Sequence, residues 1–488
     1  MKKNLNLKII FIAVVGLCIF SFIVTKSNVA SFTHDESLTY NRYVHQSYWE
    51  IISHKESYTN NHLLNTFLMK VSEQLFGSSE LALRLPNLLL LIVLFIYTFL
   101  LFKKNNTIIC IVFWILMFTN LGFINFFGLA RGYGLSIGFM VMSIYHLIAS
   151  FNQNKTKNLI LFNIAAFLSI VSSFTLLDYY VAALFVYALI YFIENVIIEK
   201  NKLAFLKSNK VNLIIFPILF IILYEPVRKV IKFNNFDFGG KDGFIHDTLS
   251  AFISNCINNV HFNDIQVNIL HIVFLMPIFI SLIILIVNVF KSNKDFWYNN
   301  RPLYIINLLL IFISLGTILQ HHLFKTDYVV GRFSLFLLPL FVLNLGFLME
   351  YSLKIIKIQK YIYAFSIILL VLSSYNICRT ANLYSCAEWD YDRETKNLVK
   401  DLIKMHDEGK LKQNDVKIGI DWVFEPTINF YRQTLHINWL LTVDRNRLHY
   451  TDDYYYVFNE TVANIKPNTY TIIHSYDKSS TVFLKNNK

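Results

Sequence analysis

Eleven apolar stretches, all but one at least 18 residues long, constrain this chain more than any other feature. They cover residues 7–25, 83–102, 107–125, 132–150, 158–174, 179–198, 211–228, 267–290, 302–320, 333–351 and 361–378. A helix rises about 1.5 Å per residue, so each stretch is long enough to cross a hydrocarbon core of about 30 Å. In lipid no water is available to the backbone amides, and a helix satisfies them within one segment. Composition agrees: 55% of the 488 residues are hydrophobic and 16% charged, where a soluble chain carries about a quarter. Soluble enzymes, disulfide scaffolds and disordered chains are excluded. Lys2, Lys3 and Lys8 could belong to a signal peptide, but the first stretch is long for a signal core and Asn28-Val29-Ala30 is a poor cleavage site. It reads as a retained helix. The expected fold is an all-α polytopic membrane domain over residues 1–378, followed by a soluble module over 379–488.

The formal net charge of +12 does not point to nucleic acid, because the tail from Arg379 onward balances 15 basic against 15 acidic residues. The excess lies between the apolar stretches. With a cytoplasmic N-terminus, the inside segments hold 17 Lys/Arg in 49 residues and the outside segments 10 in 114. That bias is the signature of membrane orientation, and it puts the tail outside. The five cysteines lack CxxC spacing and read as packed thiols, a Cys256–Cys386 bridge being the lesser alternative.

Three outer segments are far longer than connectors: residues 26–82, residues 229–264 and the tail from Arg379. Residues 26–82 carry two amphipathic stretches, one marked by Tyr40, Tyr43, Val44, Trp49 and Ile51, the other by Leu64, Phe67, Leu68, Val71 and Leu75. Both read as interfacial helices on the bilayer surface. In the tail the pattern reads helix 395–406, strand 416–422, helix 425–432, then strands 454–458, 470–476 and 481–485, a small α/β module.

Ionisable residues gather at the outer ends of the apolar stretches, where they cost less than at mid-bilayer. His34-Asp35-Glu36 lies past the first stretch, Arg84 opens the second, Arg131 and Tyr133 flank the start of the fourth, and Asp178 precedes the sixth. His321, His322, Lys325 and Arg332 precede the tenth. A carboxylate facing arginines at the outer membrane face suits sugar transfer from a lipid phosphate. The cations would stabilise the departing phosphate, and the carboxylate would take the acceptor proton. Each residue has a plainer reading as well. Arg84 could pair with Glu80 one turn earlier, Arg131, Lys325 and Arg332 could anchor helix ends at the headgroups, and Asp178 could cap a helix. Asp390-Tyr391-Asp392 has metal-binding DxD spacing but reads better as a helix cap. His34, His62 and Glu36 lack metal-site spacing. No cofactor is required, a divalent metal being the lesser alternative.

Thr33-His34-Asp35-Glu36-Ser37, Asn61-His62, Phe76-Gly77-Ser78-Ser79-Glu80, Arg84-Leu85-Pro86 and Ala130-Arg131-Gly132-Tyr133 together resemble one family. It is the GT-C fold membrane glycosyltransferases, in particular bacterial homologues of protein O-mannosyltransferases and of the aminoarabinose transferase acting on lipid A. The resemblance spans residues 1–351 and is densest in the first 135. It implies a bacterial inner-membrane enzyme with a polyprenyl-phosphate-linked sugar as donor and a glycan, lipid or protein acceptor. Asp35 would be the general base, Glu36 its catalytic neighbour and Arg131 a phosphate contact. Tyr133, Arg84, His62, Asp178, Lys325 and Arg332 complete the candidate donor and substrate set. Asp178 stands where such homologues suggest His, and the tail has no counterpart in the likeness. An oligosaccharide ligase or polymerase using a diphosphate-linked donor is the rival enzyme. A transporter or flippase would need mid-span charges and repeated halves, which the sequence lacks.

The Lys/Arg asymmetry makes a direct forecast. A reporter fused after Arg379 is expected to show extracytoplasmic location, and cytoplasmic activity there would overturn the span count.

Overall fold

A computed structural model describes residues 2–56, 58, 60–152, 155–200, 210–232, 239–257, 260, 262–291, 294–445, 448, 452–465 and 469–487. The chain is a polytopic helical membrane protein with a small C-terminal α/β module. Among the described residues, eight helices are individually long and apolar enough to cross a membrane: Lys8–Val29, Glu80–Phe102, Gly132–Ala149, Phe174–Ile198, Asp264–Lys291, Lys294–Phe324, Gly331–Ser352 and Gln359–Thr380. The stretch at 107–125, expected as one straight helix, is instead Thr107–Phe118 followed by Leu121–Gly128, bent by 59°. The break has a local cause, since the Asn120 side chain accepts the Phe123 N–H and starts a new helix there.

The two remaining stretches are the helices Lys155–Ser172 and Lys210–Lys232. The first runs between the two ends of the bundle, and the second brings its Lys229 end to one of them while Asn212 near its start meets Asn163 midway along the first. At one end, Lys8 donates to the Asn105 carbonyl, Glu350 accepts from the Asn106 N–H, and Arg301 bonds both Glu194 and the Asn152 side chain. At the other end, Ser27 bonds the Gly128 carbonyl, Lys229 the Ser53 carbonyl and Asn120 the Asn255 carbonyl. Ser172 lies at this second end: a Cβ on Gly132 would come within 1.9 Å of its carbonyl oxygen. Only glycine lets the two helices meet so closely there.

The long first loop lies at the second end. Its helix Leu63–Phe76 forms as expected, but it buries the polar side, with Asn65, Thr66, Met69 and Ser72 inward and Leu75 and Phe76 exposed. An apolar face turned outward is what an interfacial helix requires. The other amphipathic stretch is not one helix. A π-turn at Tyr40–Val44 gives way to a separate helix, Tyr48–Ile52, which Ser47 and Glu50 start with a reciprocal capping box.

The tail follows its sequence pattern closely. The helices are Thr395–Asp407 and Glu425–Thr434, and the strands are β1 Ile418–Ile420, β2 Tyr454–Phe458, β3 Tyr470–Tyr476 and β4 Thr481–Asn486. They form one sheet in the order β1-β2-β4-β3, with β1 and β2 parallel and the other pairs antiparallel. The tail shares its core with the first loop. Phe32 stacks on Phe430 at 4.2 Å, and Tyr40, Val44, Met69, Leu83 and Ala130 join Leu398, Ile428 and Tyr456 in one hydrophobic cluster. Tail and first loop therefore sit at the same end of the bundle. The number of crossings between them must be even, which makes the total odd.

Candidate active site

Two adjacent carboxylates begin the short helix His34–Thr39, which Thr33 caps. Successive helix residues point about 100° apart, so Asp35 and Glu36 cannot share an environment. Glu36 faces inward. Arg84 donates to it through Nε (2.8 Å to Oε1) and Nη2 (2.7 Å to Oε2), and both side chains are fully buried. Glu36 also accepts from the Ala130 N–H at 2.6 Å and from the Thr33 N–H and hydroxyl at 3.0 Å each. Arg84 spends its other protons on the carbonyls of Ser27, Ala30 and Ser31. Neither group has a face left for a ligand. Glu80 pairs with Lys396 instead of Arg84.

Asp35 faces the other way and stays 14% exposed. Its Oδ2 lies 3.3 Å from Arg131 Nη2 and 3.4 Å from Arg332 Nη2. Burial alone would raise this carboxyl. Arg131, Arg332, His34 and a hydrogen bond from the Trp389 side chain outweigh it and hold Asp35 below the usual carboxylate range. The group is a carboxylate at neutral pH.

Arg131 is 1% exposed and is tied to its surroundings. Its Nη1 donates to the Thr39 hydroxyl (3.1 Å) and the Asn60 carbonyl (3.1 Å), and its Nη2 meets His62 Nε2 at 3.2 Å. Burial, then Arg131 and Arg332, push the His62 pKa well below its ordinary value, so the ring is neutral. A guanidinium only donates, so Nε2 is the acceptor and the ring proton sits on Nδ1, free for the Ser172 backbone.

Arg332 is the accessible cation of the cluster, 28% exposed. It gives Nε–H to the Tyr133 hydroxyl at 2.9 Å, and its plane lies against the rings of Trp389, Phe333 and Tyr133. Its backbone N–H and Nη1 both donate to Glu388, at 3.0 and 2.5 Å.

Seven of the nine residues expected from sequence therefore converge: Asp35, Glu36, His62, Arg84, Arg131, Tyr133 and Arg332. Two do not. Asp178 accepts from Gln320 at 2.5 Å, and Lys325 is exposed with no side-chain polar partner among the described residues. The histidines near the acidic pair are also engaged, His34 Nδ1 at 2.6 Å from the Val423 carbonyl and its Nε2 meeting Arg445.

Sequence reading gave the tail no part in this cluster, yet the tail supplies much of it. Besides Glu388 and Trp389, Asp392 accepts the His34 N–H at 2.6 Å and the Thr395 hydroxyl at 3.2 Å. The helix cap expected from the Asp390-Tyr391-Asp392 spacing does not form: these residues lie within the 3-10 segment Ala387–Glu394, the helix Thr395–Asp407 starts at Glu394 with no side-chain cap, and Asp392 grips the first loop instead. Its complete burial raises its pKa to about 8 despite those donors.

No protein-family profile matches the chain, and no curated protein does. Among solved structures it is similar to ArnT from Cupriavidus metallidurans bound to undecaprenyl phosphate. The two are 12% identical with a TM-score of 0.48, over 98% of this chain and 97% of that one. The apo state of ArnT from the same organism aligns at 10% identity with the same score and coverage.

Two measurements test these environments, the first of them separating the adjacent carboxylates. Glu36→Gln leaves Arg84 as an uncompensated buried charge and is expected to cost about 3–5 kcal/mol, read from thermal or denaturant unfolding, while Asp35→Asn, at a partly exposed carboxylate whose second cation keeps Glu388, is expected to cost less. The second concerns His62. Its folded pKa lies below its unfolded value of about 6.5, so only the unfolded chain gains this proton as pH falls below that value. Stability should fall on acidification from pH 7 to 5, and less steeply in His62→Gln.

Proposed function

We propose that this chain is an integral-membrane glycosyltransferase that moves a sugar from a polyprenyl-phosphate donor to an acceptor hydroxyl at the outer membrane face. The observation that carries the reading is the contrast between two neighbouring carboxylates. Glu36 is consumed by Arg84, whereas Asp35 is ionised, partly exposed and flanked by guanidinium groups. A general base must be ionised and reachable, and Asp35 meets both conditions.

In the proposed reaction the bond between the sugar anomeric carbon and the lipid phosphate oxygen breaks, and its electron pair stays with the phosphate. The acceptor oxygen forms the new bond to that carbon and loses its proton to Asp35. Arg332 is the arginine with an exposed edge, so it meets the phosphate, while Arg131 holds Asp35 in place and Glu36 with Arg84 holds its helix. A phosphate beside Arg332 would offset the charge that depresses Asp35, making the carboxylate a stronger base when the donor is bound. The Lys/Arg bias supports an N-terminus in the cytoplasm of a bacterial cell, with this site on the opposite face.

Asn has nearly the shape of Asp but takes no proton at neutral pH. Asp35→Asn should insert, fold and bind donor while turnover falls about 10²-fold to 10⁴-fold. The check is sugar transfer from radiolabelled lipid phosphate, run beside a melting curve on the same preparation. A folded variant with wild-type turnover removes Asp35 from the chemistry.

A further inference from the structure

Three arginines surround the acidic pair, and they differ in what a ligand could reach. Arg84 is completely buried and Arg131 nearly so, with their charges engaged inside the protein. Arg332 alone of the three shows an open edge, and that edge is already occupied by an anion from within the chain. Glu388 Oε1 accepts the Arg332 backbone N–H, and its Oε2 accepts Nη1. The residue before it, Gly331, stands at φ +53°, a left-handed conformation that side chains rarely adopt, and this turn presents the Arg332 N–H to Glu388. The other parts of Arg332 are fixed, with Nε on Tyr133, Nη2 toward Asp35 and the plane against Trp389. What remains is a rigid pair of donors, N–H and Nη1, presented to one carboxylate that is itself 30% exposed.

We propose that Glu388 stands in for an anionic oxygen group on Arg332, and that a phosphate-bearing ligand binds at this point by displacing it. The donor pair fits phosphate oxygens as it fits a carboxylate. Glu388 belongs to the tail, so the module that had no assigned role acts as a competing latch at the entrance to the Asp35 cluster. A partly exposed ion pair of this kind is open to exchange with an anion from solvent or membrane. The choice of a phosphate ligand rests on the transferase reading; the occupied slot itself does not.

The experiment measures binding by the full-length protein in lipid nanodiscs, using three probes: polyprenyl phosphate, unphosphorylated polyprenol and inorganic phosphate. Removing the competitor's charge in Glu388→Gln should tighten polyprenyl phosphate roughly twofold to fivefold and leave polyprenol unchanged. Arg332→Ala should weaken it. Tightening with inorganic phosphate alone keeps the slot and assigns it to a free anion, whereas tightening with both assigns it to a lipid headgroup. If Glu388→Gln does not fold, Glu388→Asp replaces it, because the shorter acid cannot span both donors and should also tighten binding. Unchanged or weaker phosphate binding in a folded variant overturns the latch. The two readings fail separately. Tighter binding without any sugar transfer by wild type removes the transferase and keeps the slot, while active wild type with unchanged binding in the variant does the reverse.

Discussion

The Arg84–Glu36 pair is the interaction on which the rest of the cluster depends. Two charges have been taken out of water completely, and such a pair survives only when nearly every proton and lone pair finds a partner. Here the partners come from three separate stretches: the end of the first span, the cap of the Asp35 helix and the backbone just before Arg131. Meeting those demands fixes where the three stretches lie relative to one another. Asp35 inherits its position from this arrangement. With Glu36 locked inward, helix geometry turns its neighbour toward Arg131 and Arg332.

Much of the bundle was legible in the sequence because its rule is simple. A segment that crosses lipid must be apolar along its whole length and helical, and both properties are written locally. The bend at Asn120 was missed for the same reason, since one capping side chain within an apolar run barely alters the run. In the tail, alternation and capping residues marked the elements to within a few positions. Of the charged cluster, the members near Asp35 in sequence were singled out through their motif context. Glu388, Trp389 and Asp392 were not, because a contact across 358 residues of chain leaves no local trace. Asp178 and Lys325 err in the other direction. Both sit at the correct end of their segments, but span ends are spread around a bundle, and an outer position does not determine a direction.

The division into a membrane domain and a soluble module describes the chain better than it describes the packing. Phe32, Tyr40 and Leu83 share a core with the tail helix Glu425–Thr434. Tyr431 accepts the Phe32 N–H at 2.8 Å and donates to Glu80 at 3.0 Å, so a tail hydroxyl bridges the first loop and the second span. By contrast, the span that leads into the tail, Gln359–Thr380, buries little of its surface against the bundle. The tail is held in place by what it touches rather than by the helix that delivers it.

The bond between His34 and Asp392 has a consequence for how the protein is made. A ribosome produces the Asp35 helix before the segment that clamps it, with the spans from Glu80 to Thr380 made in between. Throughout synthesis the first loop carries Phe32 and Tyr40 without their cover and lacks the partner for its His34 amide. The charged cluster is therefore completed only once residues 388–392 have followed those spans, and a chain that stops short of them inserts its helices with the cluster unfinished.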